Sequence, residues 1–279
     1  MGRRRIGVLG RVLGRPLRAV RRRLRGPVAA AAGLVLVVLA FQAAQIVEGL
    51  PEPAQAPAAQ SQSAAAADTR LDAPSAWDPD ACPDYYRVVG TAVVDDVPEA
   101  GTASYEPLDR LGRAGRVVAN VTYQMMEEGS SREREDISSV VPSGWGHNER
   151  VSIPLPDGQA YSGYLYNRSH LLAKSLGGID DVTNLVTGTR TQNVGDNRGA
   201  AGGMAFTESL ARDWLRAHRD GTVYYSATPL YVGGELLPRS VVVDVRTSDG
   251  TVDLEVEVYN TALGFDIDYA DGSFSPAGE

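Results

Sequence analysis

NRSHLLAKSLGGIDDVTNLVTGTRTQNVGDNRGAAGGMAFTE, residues Asn167 to Glu208, sets one histidine behind a tyrosine-rich segment. An amide-rich, glycine-rich loop follows, and then a helix. Ala160 to Tyr166 has strand composition, so His170 stands at the end of an extended run, where a side chain meets solvent on a rigid support. Met204 to His218 predicts an amphipathic helix. Phe206, Leu210 and Trp214 recur every four residues and should face a core. Glu208 then lies in the early turns of that helix. A strand, a loop and a helix presenting a histidine, amides and a carboxylate are the unit around which the rest of the chain is read.

Outward from that unit, the C-terminal part reads as β. Ser240 to Val245 and Thr251 to Tyr259 flank Ser248-Asp249-Gly250, a hairpin signal. In the second strand Val252, Leu254, Val256 and Val258 alternate with Asp253, Glu255 and Glu257, which predicts one buried and one wet face. Phe265, Ile267 and Tyr269 before Asp271-Gly272 suggest a last short hairpin. On the N-terminal side Tyr86 to Val94 is strand-like. Pro107 to Met126 predicts a helix from Leu108, Leu111, Val118, Val121 and Met125, weakened by Gly112 and Gly115. The charged run Arg132 to Asp136 reads as a solvated loop. The fold class expected is α+β, with a central, mainly antiparallel sheet.

The chain has 279 residues and a net charge of −8. Ten arginines and no acid fall within residues 1–26, so the body carries 17 basic against 35 acidic residues. Val28 to Phe41 is an uninterrupted apolar run, and the apolar character continues to Val47. A positive head before such a core reads as a signal peptide or signal anchor, long enough to approach the ~20 residues of a bilayer span. Residues 51–81, rich in Ala, Pro, Gln and Ser, read as a linker. The expected organisation is residues 1–50 as basic head and export segment, 51–81 as linker and 82–279 as the folded domain. Cys82 is the one cysteine, which excludes an intramolecular disulfide.

The central stretch contains the parts for cleaving a phosphodiester. That reaction needs a base to make the nucleophile and positive charge for the transition state. His170 is the candidate base. Arg168, two residues away on the same strand face, could hold a phosphate bidentately. Lys174, Arg190 and Arg198 are further candidate phosphate contacts. Asn184, Gln192, Asn193 and Asn197 offer amide oxygens, and a Mg²⁺-like ion needs only one or two protein oxygens beside its waters. His147, in a polar loop, and His218, near a helix C-terminus, read as surface or structural residues. No GxSxG elbow marks a serine hydrolase. One Cys and three scattered His lack zinc-ligand spacing.

NRSHL, TRTQN and a glutamate opening an amphipathic helix together resemble the DNA/RNA non-specific endonuclease family, ββα-metal nucleases of His-Me finger type, and within it the streptococcal branch. PLDRLGR (Pro107 to Arg113) and VVPSGWG (Val140 to Gly146) extend the resemblance, which runs from about Tyr105 to Tyr231. It implies His170 as general base on the attacking water and Asn193 as direct ligand of one Mg²⁺ (or Mn²⁺ or Ca²⁺), with Asn197 the alternative. It further implies that Glu208 holds the ion through water and that Arg168 contacts the scissile phosphate. The commonest family motif has Asp and Gly where this chain has Asn167 and Ser169. The implied substrate is DNA, with RNA as a second one. Further partners are a membrane if the N-terminal segment stays uncleaved, and an inhibitor protein. A second reading is an exported module that keeps the fold and binds nucleic acid or protein without catalysis. From Asn167 to Arg219 seven basic residues face five acidic ones, which predicts a locally basic cleft on an acidic body.

Overall fold

The computed structural model describes residues 70–155, 158–196 and 201–278. The basic head, the apolar run and the linker up to residue 69 lie outside the described residues, as do Asn197 and Arg198. Among the described residues no helix is long and apolar enough to cross a membrane.

A six-stranded antiparallel sheet forms the frame. Its strands are β1 (Tyr86–Gly90), β2 (Ala103–Tyr105), β3 (Val117–Thr122), β8 (Thr222–Leu230), β9 (Ser240–Thr247) and β10 (Asp253–Tyr259), in the order β1-β10-β9-β8-β3-β2. Three hairpins stand apart from it. These are β4 (Arg150–Pro154) with β5 (Ala160–Tyr164), β6 (Tyr166–His170) with β7 (Leu185–Thr189), and β11 (Phe265–Ile267) with β12 (Phe274–Pro276). The helices are α1 (Tyr123–Ser131), the short α2 (Arg190–Val194) and α3 (Met204–Ala217). The expected α+β class and mainly antiparallel sheet are what the chain forms.

One sheet face makes the core. Val117, Ala119 and Val121 of β3, Val223, Tyr225 and Ala227 of β8, and Val241, Val243 and Val245 of β9 all point to it, as period-two alternation requires. Met204, Ala211, Trp214 and Leu215 of α3 close over that face. Of the expected stripe, Trp214 is buried, while Phe206 is partly buried and stacks on Tyr86 with centroids 4.0 Å apart.

The sequence reading of a helix over residues 107–126 is wrong. Residues 107–116 form a turn, and β3 follows before α1. Asp109 causes the turn, its carboxylate accepting from the backbone N–H of Leu111 and Arg113, and Gly112 takes φ +74°. Arg113 reaches across to the carbonyls of Gly233 and Glu235. Val117, Val118 and Val121 are claimed by the sheet because β3 pairs with β8 along its whole length, a partner about 100 residues away that no local pattern reveals.

The face expected to be wet is also buried. Glu257 is 0% exposed and Glu255 4%, Asp244 beside them on β9 is 0%, and only Asp253 stays partly exposed. Residues 70–81, read as the end of a linker, lie across them. Arg70 Nε donates to Asp244 Oδ2 at 2.9 Å, and the Leu71 N–H donates to Glu255 at 2.8 Å. Ser75 donates through both its backbone N–H and its hydroxyl to Glu257. The acidic alternation on β10 is therefore a docking face for the chain's own strap. Composition alone hides this, because the strap is held by charge and hydrogen bonds rather than by apolar burial.

Candidate active site

His170, Asn193 and Glu208 come from three different elements and line one cleft of about 1080 Å³, together with Arg132, Arg134, Arg168, Lys174 and Asp180. The β6–β7 hairpin supplies His170 at its end, paired with Leu185. α2 follows β7 directly, and Thr189 caps it by accepting from the Gln192 N–H. That cap fixes Asn193 in the only full turn of α2. α3 then returns with Glu208 one turn in. This is a ββα arrangement in which each functional side chain sits on regular structure.

The loop after His170 is tied tightly. The Asn184 side chain donates to the carbonyls of Leu172 and Ile179 and accepts from the Leu172 N–H. Asn184 is 0% exposed and supports the loop from beneath, outside the cleft lining. A Cβ on Gly178 would lie 1.8 Å from the Leu172 carbonyl oxygen, so only glycine allows that approach.

His170 Nε2 lies 2.7 Å from Asp180 Oδ1. Burial pushes the imidazole below its ordinary value, the Asp180 carboxylate opposes that, and the Arg134 and Arg132 charges add to it. Burial prevails, so the ring is neutral at pH 7, as a base must be. Asn193 Oδ1 accepts from the Ser169 hydroxyl at 3.2 Å. The serine that replaces the usual glycine of the motif thus orients the amide. Glu208 keeps 15% side-chain exposure, with Arg212 3.5 Å away. Burial raises its carboxyl above the usual range, against the pull of Arg212.

The remaining sequence candidates fare differently. Arg168 lines the cleft, but its guanidinium is occupied. Nε donates to the Val140 carbonyl at 2.5 Å, Nη2 donates to Ser138 at 2.6 Å, and the plane lies 4.1 Å over the Trp145 ring. It fastens the 138–145 loop and presents at most its Nη1 edge to an anion. The Lys174 ammonium donates to the carbonyls of Arg132 and Gly129. Arg190 is absent from the cleft lining and sits 5.1 Å over the Tyr161 ring, with Nη1 buried.

The charged run Arg132 to Asp136 is an exposed loop, as read, and its Arg132, Arg134 and Glu135 also line the cleft. Arg132 donates to the Gly178 carbonyl at 2.5 Å, and Arg134 lines the cleft with no hydrogen bond to another described residue. No signal in the sequence distinguishes this run from an ordinary polar loop. Four basic residues against Glu135, Asp180 and Glu208 leave the lining weakly positive, and the excess comes from Arg132 and Arg134 rather than from the stretch 167–219. His147 is not in the lining. His218 stacks on Trp214 at 4.5 Å beyond the end of α3.

The donors suit a hard divalent ion. Asn193 and Glu208 offer oxygen, and among the described residues no group of three His, Cys, Asp or Glu could hold a metal. The ion would therefore keep several waters, which is how Mg²⁺ binds. Glu208 adds an independent reason, since a buried carboxylate pushed upward is relieved by a nearby cation.

Known proteins are similar to this chain in sequence and fold. The chain is 34% identical over 205 residues to a deoxyribonuclease of Streptococcus dysgalactiae subsp. equisimilis, an alignment covering 63% of this chain and 62% of that relative's length. It superposes on Sda1 nuclease, solved with a bound zinc ion, with a TM-score of 0.69 and 34% identity, covering 72% of this chain and 100% of that one. NucA from Streptococcus agalactiae, solved with magnesium, shares the fold with a TM-score of 0.53 at 22% identity, covering 67% of this chain and 83% of that one. The family match runs from residue 88 to residue 273, so it takes in the sheet, the cleft and both hairpins around it. By that match, the chain belongs to the DNA/RNA non-specific endonuclease family.

Proposed function

We propose that this protein hydrolyses phosphodiester bonds of DNA, and of RNA as a second substrate, without sequence specificity and with a divalent ion. The observation that carries the reading is the convergence of His170, Asn193 and Glu208 in one cleft. His170 is neutral and takes the proton of the attacking water. Arg134, whose guanidinium has no hydrogen bond to another described residue, meets the substrate's phosphate. Arg168 holds the 138–145 loop, whose Trp145 lines the cleft. Asn193 and Glu208 would hold the ion, Asn193 directly and Glu208 through water. The ion, when bound, draws charge from the phosphate and steadies the developing negative oxygens. Sda1, at 34% identity, was solved with zinc, which supports a divalent ion here. The Mg²⁺ preference rests on the oxygen donors.

The basic head and apolar run support export, by signal peptide or anchor, with the enzyme domain outside the cytoplasm. We take the folded domain to include residues 70–81 as well as 82–279, a reading the strap contacts support.

Incubation of the full-length chain with DNA and RNA oligonucleotides of equal length tests the function. Both should be cut when Mg²⁺ or Mn²⁺ is present, leaving 5′-phosphate ends. A folded chain that binds both and cuts neither would make it a binding module instead. Asn193→Ala and Glu208→Gln should each raise the ion concentration for half-maximal rate by about 10- to 100-fold.

The pH profile follows from His170. Its conjugate acid ionises below 6.5 because burial and the Arg132 and Arg134 charges outweigh Asp180. The base is active only when unprotonated, so kcat should rise with pH below 6.5 and be level through pH 7 to 8. A profile still climbing above pH 7 would place the base elsewhere.

A further inference from the structure

We infer that Asp180 is the positioning residue of this active site, holding His170 in the tautomer that carries its proton on Nε2 and leaves Nδ1 as the base. The inference rests on the nuclease reading and adds which nitrogen acts and what fixes it. The contact spans ten residues and closes at 2.7 Å between Nε2 and Oδ1. An ionised carboxylate only accepts, so in the neutral ring Nε2 must be the N–H. The lone pair then belongs to Nδ1. When His170 takes a proton from water it becomes an imidazolium with N–H on both nitrogens. Asp180 stabilises that cation through the same contact.

The fold is built to deliver this carboxylate. Asp180 is only 9% exposed at its side chain, and His170 20%. The residue before it, Ile179, has its carbonyl held by the buried Asn184 amide. The two residues before that are Gly177, at φ +95°, and Gly178, which touches the Leu172 carbonyl closely. Arg132 clamps the Gly178 carbonyl from the other side. Asp181, directly after, accepts from the Thr183 N–H and hydroxyl and so starts the turn that leads into β7. Asp180 is thus fixed from both neighbours, as a group that must orient a ring requires. A carboxylate there for solubility alone would not need such a frame.

Asp180→Asn separates orientation from mere presence. An asparagine amide can donate to Nε2, which moves the ring proton to Nδ1 and occupies the lone pair the reaction needs. The expected result is a fall in kcat of about 10- to 100-fold with KM unchanged, partly restored in Asp180→Glu. The direct readout is ¹⁵N NMR of the full-length chain with labelled histidine. The chain has three histidines, and His147→Gln and His218→Gln assign the other two. Wild type at pH 8 should show His170 with a protonated Nε2 and a pyridine-like Nδ1, and Asp180→Asn should show the reverse or a mixture. A wild-type ring protonated on Nδ1, or an Asp180→Asn enzyme with unchanged kcat, would overturn the inference. The wild-type spectrum decides even if the variant fails to fold. It also decides if the chain proves not to be a nuclease, so the two readings fail separately.

Discussion

His170→Ala should lower kcat for plasmid cleavage by about 10²- to 10⁴-fold, the usual contribution of a positioned general base. The ion concentration for half-maximal rate should stay as in wild type, because the donors Asn193 and Glu208 come from other elements. The fold should survive. The ring's hydrogen bond is to Asp180, which lines the cleft and gains water when the ring is gone. His147→Ala and His218→Ala are the internal controls. Neither residue lines the cleft, and His218 only stacks on Trp214, so both should keep kcat within about two-fold of wild type, below the effect of removing a base. Steady-state nicking rates on the four proteins check all of this together.

Arg70→Ala should cost about 3–5 kcal/mol, the penalty for leaving a buried carboxylate without its partner. Asp244 is 0% exposed and directly faces Glu255 across the β9–β10 pairing. Its charge is held by Arg70 at 2.9 Å and by the Val93 N–H at 2.8 Å. In a domain of this size the loss corresponds to a melting temperature lower by about 10 °C. Burial already raises the Asp244 carboxyl above 3.8, despite Arg70. A carboxyl raised on folding costs stability as pH climbs from its unfolded value through its folded one. Without Arg70 it is raised further, so the deficit should be larger at pH 7 than at pH 4. Arg70→Met with Asp244→Leu should recover most of the loss, since well-packed apolar pairs replace buried ion pairs at little cost. Thermal unfolding of the wild type and the two variants at both pH values is the check. A chain cut at Cys82 also loses Arg70 and Ser75 and should melt early for the same reason.

The strap shows why part of this fold could not be read from the sequence. The β9–β10 hairpin was legible because Ser248-Asp249-Gly250 is a local turn between alternating strands. Helix α3 was legible because its apolar residues recur with the helical period. Glu255 and Glu257 alternate just as a wet face does, and only the strap at residues 70–81 makes them interior. Val117 to Val121 fit a helical spacing until β8 claims them as a strand.

The site divides the same way. His170, Asn193 and Glu208 sit in one continuous stretch with motif spacing, so the sequence brings them together. Arg168 has partners that its motif position does not reveal, the carbonyls of Ser138 and Val140, which reach it from a loop about 30 residues earlier. Arg134 and Asp180 carry no motif. Each enters the cleft by a loop closure that distance along the chain conceals.

The most direct test is nicking of supercoiled plasmid by the full-length protein, wild type and His170→Ala side by side, each in Mg²⁺ and in EDTA. The cleft described above predicts nicking by wild type in Mg²⁺ only, with both the variant and the chelated enzyme near background. Nicking by the variant at the wild-type rate, or by wild type in EDTA, would contradict it.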